Sequence, residues 1–154
     1  LYPYIYPEVD DVRNQGVKAM YFAYFFKWDV LDNYKYISNK IDFKTAPNER
    51  TSGTFTNYDS LDDKIDNLYY YMQFGFGRAV RDASRLIQLG HINREEALSL
   101  VMKFDDEFPD TYLDDVLDYL SMTRIELIEI IDGHRNPEIW SKNGTKWLRS
   151  FDVV

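Results

Sequence analysis

Four charged side chains at helical spacing are the strongest candidates for chemistry in this sequence. Arg78, Arg81, Asp82 and Arg85 follow one another at i, i+3, i+4 and i+7, so a helix places them on one face. Three of the nine arginines of the chain fall within these eight residues. A guanidinium group matches phosphate and carboxylate oxygens in bidentate geometry. We therefore predict a site for a phosphate- or carboxylate-bearing ligand. The alternative is a surface face on which Asp82 forms salt bridges with Arg78 and Arg85.

Three weaker candidates accompany this face. The segment Phe74-Gly75-Phe76-Gly77 offers free backbone N–H groups near a helix N-terminus, where anions are favoured. The loop Arg50-Thr51-Ser52-Gly53-Thr54 has hydroxyls, a glycine and an arginine that suit an oxyanion or sugar hydroxyls, with an ordinary polar loop as the alternative. Trp28 beside Lys27 suits stacking on a sugar ring together with a hydrogen bond, and the alternative is a tryptophan that closes the core.

The chain lacks the residues that several kinds of catalysis and metal binding require. The chain has no cysteine and only two histidines, which argues against thiolate catalysis and against a metal site. It has no Walker A loop, no Ser-Gly-Gly-x-Asp-Ser pyrophosphatase loop, no dinucleotide-binding fingerprint and no nucleophile elbow. The carboxylate pairs Asp62–Asp63 and Asp105–Asp106 are interpreted as helix-end or solvated groups. We therefore expect no cofactor in this chain and no ATP hydrolysis by the chain alone.

The charge and hydropathy of the chain indicate its surroundings. A net charge of −8 argues against a broad basic face for nucleic acid. The longest apolar run, residues 19–26, is far too short to cross a bilayer, so we predict no membrane insertion and a cytoplasmic location. The chain begins with Leu1 rather than Met, which we interpret as a cut through a longer polypeptide.

The patterning of apolar residues predicts a mainly α fold. We expect about five to seven helices, one buried N-terminal strand and a C-terminal β-hairpin around Asn143-Gly144. Asp29, Asn93 and Thr123 are predicted helix caps, and Gly90 is a predicted helix end. The predicted organisation is a single domain made of a strand–helix segment (1–41), a loop (42–59), a helical bundle (60–135) and a hairpin tail (136–154). Within it, the strand covers residues 17–28, and helices cover 7–15, 29–41, 78–89, 112–120 and 123–133.

The order of several short motifs resembles one known family. They are Tyr21-Phe22-Ala23-Tyr24-Phe25-Phe26-Lys27-Trp28-Asp29, Glu49-Arg50-Thr51, Phe74-Gly75-Phe76-Gly77-Arg78, Asp82-Ala83-Ser84-Arg85, Arg94-Glu95-Glu96-Ala97 and Asp132-Gly133-His134-Arg135. This ordered set, which spans nearly all of residues 8–150, resembles the C-terminal half of the N-acetyl sugar amidotransferases, the WbpG-type proteins of lipopolysaccharide biosynthesis.

The resemblance implies a function for the parent enzyme. Such enzymes carry an N-terminal PP-loop ATP-pyrophosphatase domain, use ATP and Mg²⁺, and convert the acetamido group of a nucleotide-linked sugar to acetamidino in O-antigen biosynthesis. Ammonia comes from a glutaminase subunit with a cyclase-like partner. This chain lacks the ATP loop, so the expectation is a substrate-binding or active-site-covering region that is inactive alone, with Arg78, Arg81 and Arg85 on the ligand and Arg50 and Lys27 assisting. The alternative is a non-catalytic assembly module that docks the pyrophosphatase domain or a glutaminase partner.

Overall fold

The computed structural model describes residues 4–55 and 63–152. These residues form seven α-helices and one two-stranded antiparallel sheet, so the prediction of a mainly α fold with a C-terminal hairpin is confirmed. The chain divides into two compact units, Leu1–Ile41 and Asp42–Val154. The elements are α1 (Val9–Asn14), α2 (Val30–Ser38), α3 (Asp63–Phe74), α4 (Arg78–Leu89), α5 (Arg94–Phe104), α6 (Leu113–Leu120), α7 (Arg124–Gly133), β1 (Trp140–Asn143) and β2 (Lys146–Arg149).

The first unit holds two helices that the sequence predicted. α1 lies inside the predicted helix of residues 7–15, and Gly16 after it has a φ of 65°, the left-handed conformation that commonly ends a helix. α2 begins after Asp29, whose carboxylate accepts a hydrogen bond from the Asp32 backbone N–H at 3.1 Å. This bond satisfies one of the N–H groups that a helix start leaves open, so the predicted cap at Asp29 is confirmed.

The buried strand predicted for residues 17–28 is wrong. The segment contains a 3-10 turn at Phe22–Tyr24, and its aromatic side chains are exposed. The Phe26 backbone N–H donates to the Phe22 carbonyl at 3.2 Å, and the two rings stack with centroids 4.6 Å apart. Such stacking requires a turn, because residues four apart on a strand lie roughly 13 Å from each other. Within the described residues no second strand pairs with this segment, so a strand here would leave its backbone groups unsatisfied.

Three helix ends in the second unit are fixed by local sequence signals, as predicted. α4 ends at Gly90, which has a φ of 80°. α5 begins with a capping box in which Asn93 and Glu96 exchange side-chain-to-backbone hydrogen bonds, and α7 begins with the same arrangement of Thr123 and Glu126. These contacts involve residues three apart, so the sequence alone determines them.

The core of the second unit joins α3, α6, α7 and β1. Its buried side chains are Leu68, Tyr71, Met72, Leu113, Leu127, Ile131 and Trp140. A smaller cluster of Ala83, Ala97 and Val101 joins α4 to α5. The spacing of Leu61, Ile65, Leu68, Tyr69 and Met72 predicts the buried stripe of this helix, and Leu61 lies outside the described residues. The observed stripe of α3 differs at Tyr69, which is 39% exposed, and at Lys64, which is buried. Lys64 can be buried because its ammonium group pairs with Glu49, a contact that the pattern of α3 does not reveal.

The hairpin is clamped onto the helices by its two tryptophans. Asn143 pairs with Lys146, so Gly144 and Thr145 form the two-residue loop of the predicted hairpin. The Trp140 indole N–H donates to the Met72 carbonyl at 2.7 Å. The Arg135 guanidinium lies 5.0 Å from the Trp140 ring centroid and 4.8 Å from that of Trp147. These cation–π contacts dock the hairpin beside the end of α7. Across residues 4–55 and 63–152, no helix has both the length and the apolar character that crossing a membrane requires.

Candidate functional site

A buried polar network surrounds Glu49-Arg50-Thr51, which we call the 49–51 segment. Arg50 lies at its centre, is 0% exposed and has a φ of 59°. Its guanidinium donates to the main-chain carbonyl of Asp105 at 2.7 Å and to that of Glu107. The Arg50 backbone N–H also donates to the Glu107 carboxylate at 2.8 Å. Arg50 thereby connects the loop before α3 to the chain between α5 and α6.

Asp105, directly after α5, binds the N-terminus of α4. Its two carboxylate oxygens accept from the Gly77 backbone N–H at 3.0 and 2.9 Å, and Oδ1 also accepts from the Val80 N–H at 3.4 Å. Burial raises the pKa of Asp105, against the opposing effect of these hydrogen bonds and of the nearby Arg50 guanidinium. Negative charge is favoured at a helix N-terminus. At α4 the chain itself supplies that charge, so the Gly77 N–H, which the sequence predicted to be free for an anion, is engaged by Asp105.

Glu49 is the second buried carboxylate of the network. Its Oε2 accepts from Lys64 Nζ at 2.6 Å, and its Oε1 accepts from the backbone N–H groups of Asp110 and Thr111 at 2.8 and 2.9 Å. Burial alone would raise the pKa of Glu49, but the hydrogen bonds from Lys64 and Thr111 outweigh it and hold the pKa below its ordinary value of 4.5. Glu49 therefore anchors α3 to the chain before α6.

Thr51 connects the buried network to the helical face of charged residues that the sequence predicted on α4. The Thr51 hydroxyl donates to Asp82 Oδ2 at 2.8 Å, and Arg78 Nε donates to the same oxygen at 2.8 Å. We call Thr51, Arg78 and Asp82 the Asp82 triad. The side chains of Arg78 and Asp82 are 16% and 15% exposed. The triad brings together the two regions that the sequence singled out separately, the helical face and the 50–54 loop.

The other predicted site residues have different surroundings. Arg81 and Arg85 are exposed on α4. Arg50 is fully enclosed, so in this structure its guanidinium holds the fold together and has no open path to a surface ligand. In the first unit, Lys27 pairs with Asp29 at 3.3 Å, and Trp28 is 61% exposed, so Trp28 does not close a core.

Sequence reasoning missed the two buried carboxylates. Asp105 was interpreted as a helix-end or solvated group; it does lie at the end of α5, but it is 3% exposed and therefore not solvated. Glu49 appeared only within a family motif, with no chemical role. Their partners lie 28 residues away for Asp105 with Gly77 and up to 62 residues away for Glu49 with Thr111. No local pattern encodes such distant contacts, although one signal exists: Arg50 and Lys64 are cations that need anions if they are buried.

Comparison with known proteins identifies the family. Residues 52–152, more than half of the chain, match the family described as LPS biosynthesis protein WbpG-like, C-terminal domain. The chain belongs to the WbpG-like family. The membership predicted from the sequence is thus confirmed, and with it the assignment to lipopolysaccharide biosynthesis. A search among curated proteins found no match.

The WbpG-like match covers α3 to α7 and the hairpin, and it begins directly after the 49–51 segment. All three members of this segment nevertheless bind residues within the matched range. The WbpG-like domain of this protein therefore depends on side chains that precede the matched residues.

The Glu49–Lys64 pair gives the WbpG-like domain a specific response to acid. A carboxylate whose pKa is lowered on folding contributes stability above its unfolded-state pKa and loses it as the pH falls through the folded-state pKa. We expect the urea midpoint of unfolding to decrease as the pH is lowered from about 6 to about 3, and Glu49→Gln to reduce that decrease. Asp105→Asn is the comparison, since the raised pKa of Asp105 contributes a slope of opposite sign. Identical pH profiles for wild type and Glu49→Gln would contradict this role.

Proposed function

We propose that this chain is the substrate-binding part of an ATP-dependent N-acetyl sugar amidotransferase of O-antigen biosynthesis. The parent enzyme would convert the acetamido group of a nucleotide-linked sugar to acetamidino, and this region would bind the sugar nucleotide. The family supports a role in lipopolysaccharide biosynthesis. The single observation that carries the binding role is the Asp82 triad. It holds the partly exposed Asp82 carboxylate in place on the same helix that exposes Arg85.

The α4 face has the charges that a sugar nucleotide needs. Arg81 and Arg85 are exposed one turn apart on this helix, and guanidinium groups bind phosphate oxygens through charge-assisted hydrogen bonds. The carboxylate of an acidic sugar would bind the same guanidinium groups. Arg50 contributes indirectly, by holding the 49–51 segment from which Thr51 contacts Asp82.

The chemistry of ATP and Mg²⁺ belongs to another part of the parent enzyme. The sequence has no pyrophosphatase loop, and the glycine-containing segment before α4 does not fit a phosphate in its place. Its Gly77 N–H already donates to the Asp105 carboxylate, whose charge would repel a phosphate. We propose that an N-terminal PP-loop domain of the same polypeptide activates the sugar, and that a glutaminase subunit with a cyclase-like partner supplies ammonia.

Equilibrium binding to the full 154-residue chain tests this proposal. We expect wild type to bind UDP-N-acetylglucosamine, and Arg81→Ala and Arg85→Ala each to weaken binding about 10- to 100-fold, the effect of losing one charge-assisted hydrogen bond. Arg94→Ala is the matched control, because Arg94 is exposed on α5 rather than on this face. Affinities unchanged in both α4 variants, as measured by isothermal titration calorimetry, would refute the assignment.

An assembly module is a second candidate, favoured by an exposed aromatic cluster. Tyr70, Phe74 and Phe76 are 46%, 48% and 39% exposed. The Tyr70 ring centroid lies 4.5 Å from that of Phe74 and 6.0 Å from that of Phe76. Contiguous exposed apolar surface often marks a protein interface.

Self-association provides the test of the second candidate. If the aromatic cluster is an interface that also pairs two copies of the chain, sedimentation velocity will show a concentration-dependent dimer that the double variant Phe74→Ser, Phe76→Ser abolishes. Tyr119→Ser is the control, since Tyr119 is 84% exposed on α6 and is not part of the cluster. A wild-type chain that stays monomeric at every concentration would count against the module.

A further inference from the structure

We infer that Asp82 selects the sugar part of the ligand by accepting a hydrogen bond from a sugar hydroxyl on its Oδ1 atom, and that Thr51 is the residue that positions it. The inference rests on the proposed function and deepens it. It divides the α4 surface into two parts: Arg85 for an anionic group and Asp82 for a neutral hydroxyl. The ligand class is therefore a glycosyl phosphate with free hydroxyls, rather than a simple anion.

The hydrogen bonds of Asp82 are distributed unequally between its two oxygens. Thr51 Oγ1 and Arg78 Nε both donate to Oδ2, each at 2.8 Å. Among residues 4–55 and 63–152, no donor contacts Oδ1. A carboxylate has about four lone-pair sites, so Oδ1 retains its full capacity to accept. The Asp82 side chain is 15% exposed, so it is partly open to solvent, and Oδ1 is the oxygen left for a ligand hydroxyl.

The position of this oxygen is fixed before any ligand binds. Thr51 is 2% exposed, and the neighbouring Arg50 is locked by its bonds to the chain after α5. The α4 backbone that carries Asp82 is held at its N-terminus by Asp105. An acceptor that is already ordered loses little conformational entropy on binding, which favours affinity and specificity.

The backbone at Arg50 supports a functional role for this arrangement. Arg50 has a φ of 59°, a left-handed conformation that is unfavourable for a residue with a side chain. Such strained positions concentrate at ligand-binding sites. Arg50 directly precedes Thr51, whose hydroxyl donates to Asp82.

The charge of Asp82 decides which part of a ligand it binds. A carboxylate repels phosphate and attracts hydroxyl or amide donors. Arg85 lies three residues further along α4, on the next turn of the same face, where it can meet a phosphate. Changes at Asp82 should therefore affect recognition of the sugar and leave recognition of the nucleotide intact.

The test compares UDP-N-acetylglucosamine with UDP on the full 154-residue chain by isothermal titration calorimetry. We expect Asp82→Asn and Thr51→Val to lower the affinity for UDP-N-acetylglucosamine by about tenfold or more, while the affinity for UDP changes less than about twofold. Thr51→Ser keeps the hydroxyl and should restore wild-type affinity. Thermal unfolding of each variant identifies any loss of the fold, and the ratio of the two affinities is independent of the folded fraction.

Each outcome has a distinct meaning. The inference is overturned if the affinity for UDP-N-acetylglucosamine is unchanged in both variants, or if it falls by the same factor as the affinity for UDP. In either case Asp82 does not bind the sugar, and the proposed function stands. If wild type binds neither compound, the proposed function fails and the inference fails with it. If Thr51→Ser behaves like Thr51→Val, the positioning role of the hydroxyl is refuted.

Discussion

Replacing Arg50 with methionine should destabilise the second unit by about 3–5 kcal/mol, the cost of removing one partner from a buried charged network. Methionine keeps the unbranched apolar stem of arginine and loses every donor. The buried carbonyl of Asp105 and the partly buried carbonyl of Glu107 would then lose their donor, and the Asp105 carboxylate would lose a nearby cation. Small domains have total stabilities of about 5–15 kcal/mol, so this loss is a large fraction of the stability of the second unit.

Urea unfolding followed by circular dichroism measures this effect. Arg85→Met is the matched control, because Arg85 is exposed and surface changes usually stay within about 0.5 kcal/mol. Arg50→Lys should recover only part of the loss, since an ammonium group cannot donate in the fork geometry that spans two carbonyls. If Arg50→Met unfolded at the same urea concentration as Arg85→Met, the network would not stabilise the fold.

Replacing Gly75 with alanine is expected to cost about 2–5 kcal/mol. Gly75 has a φ of 73°, and the left-handed conformation costs a residue with a Cβ about 1–2 kcal/mol. A Cβ here would also lie 2.7 Å from Phe151 Cζ and 2.9 Å from Ile139 Cγ2. Overpacking of this kind adds about 1–3 kcal/mol. The glycine therefore serves close packing of the C-terminal tail against the end of α3.

Gly90→Ala separates the backbone cost of a left-handed residue from the steric cost of the added Cβ. Gly90 has a φ of 80°, similar to that of Gly75, but a Cβ there would have nothing within 4 Å. We expect Gly90→Ala to cost only the backbone term of about 1–2 kcal/mol. The difference in unfolding free energy between the two variants measures the steric term. Equal destabilisation by both substitutions would show that Phe151 and Ile139 move aside without cost.

Sequence reasoning succeeded where structure depends on neighbours in the chain. The bounds of α4, the capping boxes at Asn93 and Thr123 and the hairpin loop at Gly144 all follow from contacts within about four residues. The run of aromatics at residues 17–28 misled because its polar residues lack helical spacing, which favoured a strand. A strand also needs a partner strand, and the segment has none among the described residues.

In the candidate site, too, contacts between neighbours in the chain were predicted and contacts between distant residues were not. Helical spacing correctly placed Arg78 and Asp82 together, and their ion pair is local. The contribution of Thr51, 31 residues earlier, required the folded structure. The role of Arg50 was predicted as assistance to a ligand; its full burial could not be read from the sequence, because arginine is almost never buried without partners and those partners are distant.

The location of Arg50 also bears on where this folding unit begins. The family match starts at Ser52, but the second compact unit starts at Asp42. A protein trimmed to the matched residues would lack Glu49 and Arg50, leaving Lys64 buried without its counter-ion and the chain after α5 without its link to the loop. The functional boundary of the domain therefore lies upstream of the boundary that family comparison draws, and any truncation intended to fold should retain the residues from Asp42 onward.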